Sequence, residues 1–283
     1  MIGVFDSGYG GLTILQQIRD RLPEYDYLYL GDNARSPYGT RSFECIYRYT
    51  LEAVQYLLSH GCTLVILACN TASAKALRTI QQLDLPLINA KMTNGQMVNV
   101  LGVIRPTVEV VPSLTSTGHI GVLATPGTVT SDSYRIELLK QDARLIVTQQ
   151  PCPMWVPLIE TGEHRSAGAE YFIRKYLMQI IDRDPLIDTI VLGCTHYPII
   201  QQQIDAVLRE IAKERHLPPC RTIAQGPIVA QSLENYLHRH NEYTSRLSQG
   251  GTCTYTTTDD PYRFADSAAI FLGHAVQATQ VEY

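Results

Sequence analysis

Apolar and polar positions alternate in two rhythms along the chain. Residues 2–5 (IGVF), 27–30 (YLYL) and 64–68 (LVILA) are short, nearly uninterrupted apolar runs. Such runs fit parallel strands covered on both faces. Between them, Leu15, Ile18 and Leu22 recur at helical spacing, as do Tyr47, Leu51, Val54 and Leu58. Strands alternating with helices predict an α/β fold with a mainly parallel sheet.

The order then repeats. Residues 120–124 (IGVLA), 145–148 (LIVT) and 189–192 (TIVL) are strand candidates, with helical stretches at 131–140 and 171–181. A segment rich in proline (Pro151, Pro153, Pro157) precedes the second of these and is expected to be a loop. The halves also rhyme in letters. GVFDSG at 3–8 parallels GVLATPG at 121–127, and VILACNT at 65–71 parallels IVLGCTH at 190–196. This weak duplication predicts two similar lobes, each ending its third strand in a cysteine. Residues 91–99 (KMTNGQMVN) are polar and glycine-containing, as a connector should be. The expected division is 1–98 plus 208–283 for the first lobe and 99–207 for the second. The tail from about 222 has no partner in the duplication. It is expected to complete the first lobe with an extra helix and a further strand.

Composition narrows the class. Of 283 residues, 45% are hydrophobic and 18% charged, close to the globular average, which excludes disordered and collagenous chains. A formal net charge of −4 offers no broad cationic face, so no nucleic-acid partner is expected. The opening MIGVFDSGYGG lacks a basic segment followed by a long apolar one, and no run approaches the ~18 apolar residues of a membrane span. A cytoplasmic protein without a membrane partner is expected. The seven cysteines are odd in number, scattered in spacing and without a C-x-x-C pair. That argues against a disulfide framework and against a structural zinc site.

In open parallel sheets, ligands bind beyond the carboxyl ends of the strands. Asp6-Ser7, Cys69-Asn70-Thr71 and Cys194-Thr195-His196 all fall at such ends. Each cysteine alone is as well explained as a small buried hydrophobe. Two in matching places, each after an apolar strand and before a polar pair, favour acid–base thiols, because free helix N–H groups lower a thiol pKa. Asp6 is either functional or a cap for the helix after Gly10-Gly11. His196 fits an acid–base partner of Cys194 better than a metal ligand, since no second ligand cluster accompanies it; no metal site is expected. Glu160, Glu163 and Asp32 by themselves look like solvated carboxylates. Tyr38-Gly39, after Pro37, can supply backbone donors from a turn. The run at 8–13 fails the G-x-G-x-x-G pattern because position 13 is threonine, which argues against a dinucleotide.

Taken together, GVFDSGYGG (3–11), YLGDNARSPYGTRS (29–42), ILACNTASA (66–74), GVLATPGTV (121–129), VPLIETG (156–162), LGCTHYP (192–198) and YTTTDDPYRF (255–264) resemble the glutamate racemases of the aspartate/glutamate racemase family. Each motif is weak; the ordered set is specific. The resemblance implies a cofactor-independent isomerase acting on glutamate, with two cysteines opposed across a cleft between two α/β lobes. It implies that Cys69 and Cys194 are the acid–base thiols, that Asp6 lies beside the first, and that His196 and Glu160 lie beside the second. Ser7, Tyr38, Gly39, Asn70, Thr71, Thr125, Thr128 and Thr195 then resemble substrate-cradling positions, with Asp6 and His196 also touching substrate. The family's usual polarity has the first thiol deprotonating the D-isomer and the second the L-isomer. A homodimer and a supply of D-glutamate for peptidoglycan, and so for cell shape, are likewise implied. The link at 91–99 is longer than usual in the family, and Gln225-Gly226-Pro227 stands where an Asp-Pro-containing turn is more usual. The chain starts almost at the first strand. Neither the extension linked in some members to activation by a cell-wall precursor nor that regulation is expected.

The implied chemistry is physically coherent. Inverting an α-carbon removes a proton from one face and delivers another to the opposite face. Two thiols with unperturbed pKa values of about 8.5 can serve as thiolate and thiol near neutrality. One rival is a racemase for aspartate or another amino acid of the same family. A second, a pyridoxal-phosphate racemase, needs a Schiff-base lysine, and only Lys75 lies near a motif. A third is a non-catalytic binder of small acids or a protein partner, against which the two intact thiols argue.

Overall fold

The computed structural model describes residues 1–92 and 97–283. The chain is α/β and forms two units, Met1–Val103 with Gly226–Tyr283, and Ile104–Gln225. The divisions fall at 103 and 225, not at the expected 98 and 207. Residues 99–102 form a strand hydrogen-bonded to the third strand, and 208 lies inside the helix Gln201–Arg215. Part of the expected connector, 93–96, lies outside the described residues.

The first unit holds a six-stranded parallel sheet. Its strands are β1 (Ile2–Asp6), β2 (Tyr27–Gly31), β3 (Leu64–Leu67), β4 (Asn99–Gly102), β9 (Cys253–Thr257) and β10 (Ala278–Gln280), in the order β10-β9-β2-β1-β3-β4. The first three apolar runs are thus strands, and β1 to β3 are buried along their whole length. The helix Phe43–Ser59 turns Ile46, Ala53, Val54 and Leu57 into a cluster with Phe5, Val65 and Leu67. Each such fully buried aliphatic side chain stabilises by roughly 1.5–3 kcal/mol. The tail adds two strands, not one. Its helix Gly226–Arg239 packs on Leu12–Arg21.

The second unit holds a four-stranded parallel sheet of β5 (His119–Ala124), β6 (Ile146–Pro151), β7 (Thr189–Gly193) and β8 (Arg221–Ile223), in the order β6-β5-β7-β8. Two expectations change here. The helical stretch expected at 131–140 is the helix Ser133–Gln141, preceded by a short helix Pro126–Ser131; the two are separated at Asp132, which adopts a left-handed conformation (φ 57°). The proline-rich segment is not all loop. Trp155–Glu160 is helical, with Trp155 and Ile159 buried.

The two sheets repeat one plan. β2-β1-β3-β4 and β6-β5-β7-β8 have the same order, each opened by its second strand in sequence. In each, the chain leaves the first strand to one side and returns to pair on the other. That reversal lies between β1 and β3, and again between β5 and β7. Ligand crevices form at such reversals, beyond the carboxyl ends of the strands.

Candidate active site

At the first reversal, Phe5 is in register with Leu67, and Asp6 with Gly31. The chain therefore delivers Asp6-Ser7, Asp32 and Cys69 to one edge of the sheet. Cys69 caps the helix Asn70–Lys75, its sulfur accepting the Ala72 N–H at 3.4 Å. The Ser7 hydroxyl lies 3.4 Å from the same sulfur. Asn70 and Thr71 are buried in the first turn of that helix. Ser73 donates to the Leu67 carbonyl at 2.8 Å and so ties this turn back to β3.

Asp6 is buried and accepts the Gly8 N–H at 3.0 Å. The next helix, Leu12–Arg21, has Gly11 as its N-cap residue. A Cβ there would come within 2.5 Å of the Asp6 Cβ, so only glycine lets the backbone pass behind this carboxylate.

Asp32 is not solvated. It is fully buried and accepts from Arg35, from the Thr258 hydroxyl at 2.9 Å and from the Tyr38 hydroxyl. Burial and the neighbouring Asp32 charge push the Tyr38 phenol far above its ordinary range, so it stays a proton donor. Gly39 follows in the same turn.

The second reversal is built alike from different side chains. Ala124 is in register with Gly193, which sets Thr125 beside Cys194. Thr125 caps the helix Pro126–Ser131 by accepting the Thr128 N–H at 3.4 Å, and the two threonine hydroxyls are 3.1 Å apart. Cys194 Sγ lies 3.8 Å from His196 Nδ1, and His196 Nε2 lies 2.9 Å from Glu160 Oε1. Thr195 and His196 are buried. Burial by itself lowers the His196 pKa. The hydrogen bonds to Cys194 and Glu160, and the charge beside the ring, outweigh it and raise the imidazole to about 10. Glu160 is therefore the outer member of a thiol–imidazole–carboxylate chain, not an isolated surface acid; Glu163 sits in the short turn beyond it.

All seven cysteines are free. Burial pushes Cys62 up to about 12, drives Cys152 well above the thiol range and raises Cys253. Burial, helped by the charges of Asp188 and Asp205, also lifts Cys220 to about 12. These four fit the plain reading of cysteine as a small hydrophobe. Among the described residues, no three His, Cys, Asp or Glu side chains cluster as a metal site would require. No described helix is long and apolar enough to cross a membrane.

Residues 12–225 match the Asp/Glu/Hydantoin racemase family. The chain belongs to that family and is an isomerase. It is 37% identical over 286 residues to the glutamate racemase of Paracoccus denitrificans, covering 98% of each chain. It is 42% identical over 207 residues to that of Persephonella marina, covering 73% of this chain and 74% of the relative. Among solved structures, a glutamate racemase isoform of Bacillus anthracis superposes with a TM-score of 0.84 at 30% identity, over 100% of this chain and 97% of the other. The Francisella tularensis glutamate racemase, solved with D-glutamate, gives 0.83 at 30% identity, over 99% and 97%.

The resemblance put Asp6 beside Cys69, and His196 and Glu160 beside Cys194; the geometry links Cys194, His196 and Glu160, and at Cys69 the side chain within reach of the sulfur is Ser7, which was expected only among the substrate-cradling positions. Sequence reasoning missed Asp32 as the acceptor for Tyr38. The signal was available: an aspartate at the end of a wholly apolar strand, three residues before an arginine, is poorly placed to be solvated.

Proposed function

We propose that this racemase interconverts L- and D-glutamate without a cofactor. Cys69 and Cys194 act on opposite faces of one α-carbon. The observation that carries this reading is the matched placement of a polar-partnered cysteine at the same reversal of two equivalent sheets. The glutamate racemase relatives support the choice of substrate.

In this scheme one sulfur enters as thiolate and removes the α-proton; the other, as thiol, protonates the opposite face. Asp6 accepts or orients the proton at Cys69. His196, held by Glu160, does so at Cys194. Ser7, Tyr38, Gly39, Asn70, Thr71, Thr125, Thr128 and Thr195 cradle the substrate, backbone N–H groups and hydroxyls donating to its carboxylates and hydroxyl oxygens accepting from its ammonium. Oriented donors of this kind stabilise the developing carbanion when water is excluded. A homodimer working in the cytoplasm and supplying D-glutamate to peptidoglycan fits the same reading.

The test is polarimetry on purified protein with L- and D-glutamate, and separately with L- and D-aspartate, without added cofactor. Glutamate turnover in both directions with aspartate at least ~100-fold poorer in kcat/KM is expected; preferred turnover of aspartate would move the chain to the other branch of the family. That ratio is about 2.7 kcal/mol of transition-state discrimination, the size of one methylene in a fitted pocket.

A further inference from the structure

The turn bearing Tyr38 and Gly39 is held from behind by a charged and aromatic cluster that the scheme above does not use. Arg35 Nε donates to the buried Asp32 carboxylate at 2.7 Å, and Arg35 Nη1 donates to Glu52 on the helix Phe43–Ser59. The guanidinium carbon lies 4.2 Å from the centre of the Tyr49 ring and 5.0 Å from that of Tyr283. Tyr283 follows β10, whose end is fixed by Val281 N–H donating to the Thr257 carbonyl at 2.9 Å, and it meets Tyr56 at 5.1 Å. Lys75 ties the same turn to the Cys69 helix by donating to the Arg41 carbonyl at 2.9 Å.

One cation thus serves two carboxylates and packs against two aromatic rings. A flat guanidinium gains from both contacts, and the rings restrict its plane so that Nε stays on Asp32 while Nη1 stays on Glu52. Asp32 in turn fixes the Tyr38 hydroxyl. A buried carboxylate that loses its cation must draw on other donors, and Tyr38 is the nearest one.

We propose that Arg35 and Tyr283 are positioning residues for substrate. The Tyr283 ring clamps Arg35, Arg35 orients Asp32, and Asp32 sets the Tyr38–Gly39 donors. The proposal rests on the reading of Tyr38 and Gly39 as substrate contacts. Loosening a contact made equally to substrate and transition state raises KM and spares kcat.

The experiment is steady-state kinetics with D-glutamate, and its binding by calorimetry, for wild type, Tyr283→Ala, Tyr283→Phe and Arg35→Lys, with thermal unfolding as a check on folding. Tyr283→Ala is expected to raise KM by ~3- to 10-fold, the size of one partly exposed cation–π contact, with kcat within about twofold. Tyr283→Phe keeps the ring and should match wild type. Arg35→Lys keeps the charge but loses the fork, so its KM should rise more than that of Tyr283→Ala. An unmoved KM in Tyr283→Ala, an equal loss in Tyr283→Phe, or a fall in kcat alone overturns the proposal. Wild-type protein that neither binds nor racemises glutamate overturns the proposed function and this inference with it. Wild-type turnover with an unmoved KM in Tyr283→Ala overturns this inference alone.

Discussion

The Cys69 and Cys194 sites share a scaffold and differ in chemistry. Both cysteines follow the strand at a sheet reversal, and the four strands β2-β1-β3-β4 of one sheet repeat the order β6-β5-β7-β8 of the other. At Cys69 the sulfur meets a hydroxyl and a backbone N–H, with a buried carboxylate on the adjoining strand. At Cys194 it meets an imidazole backed by a carboxylate. A repeated fold therefore preserves where a thiol sits, because the strand end sets that. It does not preserve how the proton is handled, because that depends on side chains from separate loops and helices.

The largest expected effect tests what the two sites share. Cys69→Ala and Cys194→Ala should each abolish racemisation, by at least the ~10²- to 10⁴-fold of a lost acid–base group, with circular dichroism unchanged. Full activity in either variant would refute the pair.

The next effect tests how they differ. At equilibrium the isomer ratio is fixed, so kcat/KM for racemisation must fall equally in both directions in any helper variant. Asymmetry must be sought in elimination from analogues with a leaving group, which needs a single deprotonation. Asp6→Asn should slow elimination from the D-type analogue more, by ~10²-fold. His196→Asn and Glu160→Gln should slow it more from the L-type. Equal impairment of both analogues by all three variants would make these residues binders, not helpers of one thiol each.

A smaller effect lies in stability. The folded His196 is raised to about 10 from an unfolded value near 6.5. Its contribution is fully present below pH 6.5 and is lost as pH rises toward 10. The melting-temperature gap between wild type and His196→Gln should therefore narrow over that window; a gap constant with pH would contradict the linkage. Smallest are the other thiols. Cys62, Cys220 and Cys253, changed singly to Ala, should keep racemase activity within about threefold, since burial holds them as neutral thiols.

Much of this was legible in the sequence because apolar strands and the residues after them are local patterns. Cys69, Cys194 and His196 follow such strands directly. Asp32 was misjudged because its partners Tyr38 and Thr258 come from a turn and from a distant strand end, which no local pattern shows. Glu160 looked like a loop residue because three nearby prolines mask a helix whose Pro157 lies within the first turn, where a missing N–H costs nothing. The helix expected at 131–140 starts at Ser133 instead because Asp132 is left-handed, a conformation that sequence permits but does not announce. Gln225 is buried, donating to Thr107 at 2.9 Å and to Tyr134 at 2.7 Å, and both partners lie far from it in sequence.

The most direct test of two opposed thiols is the isotope content of glutamate early in the reaction in heavy water. With solvent-exchanged thiols on opposite faces, the first product formed should carry deuterium at the α-carbon while recovered starting isomer carries little. Early product that retains mostly protium, or starting isomer labelled as fast as product, would mean that one base serves both faces.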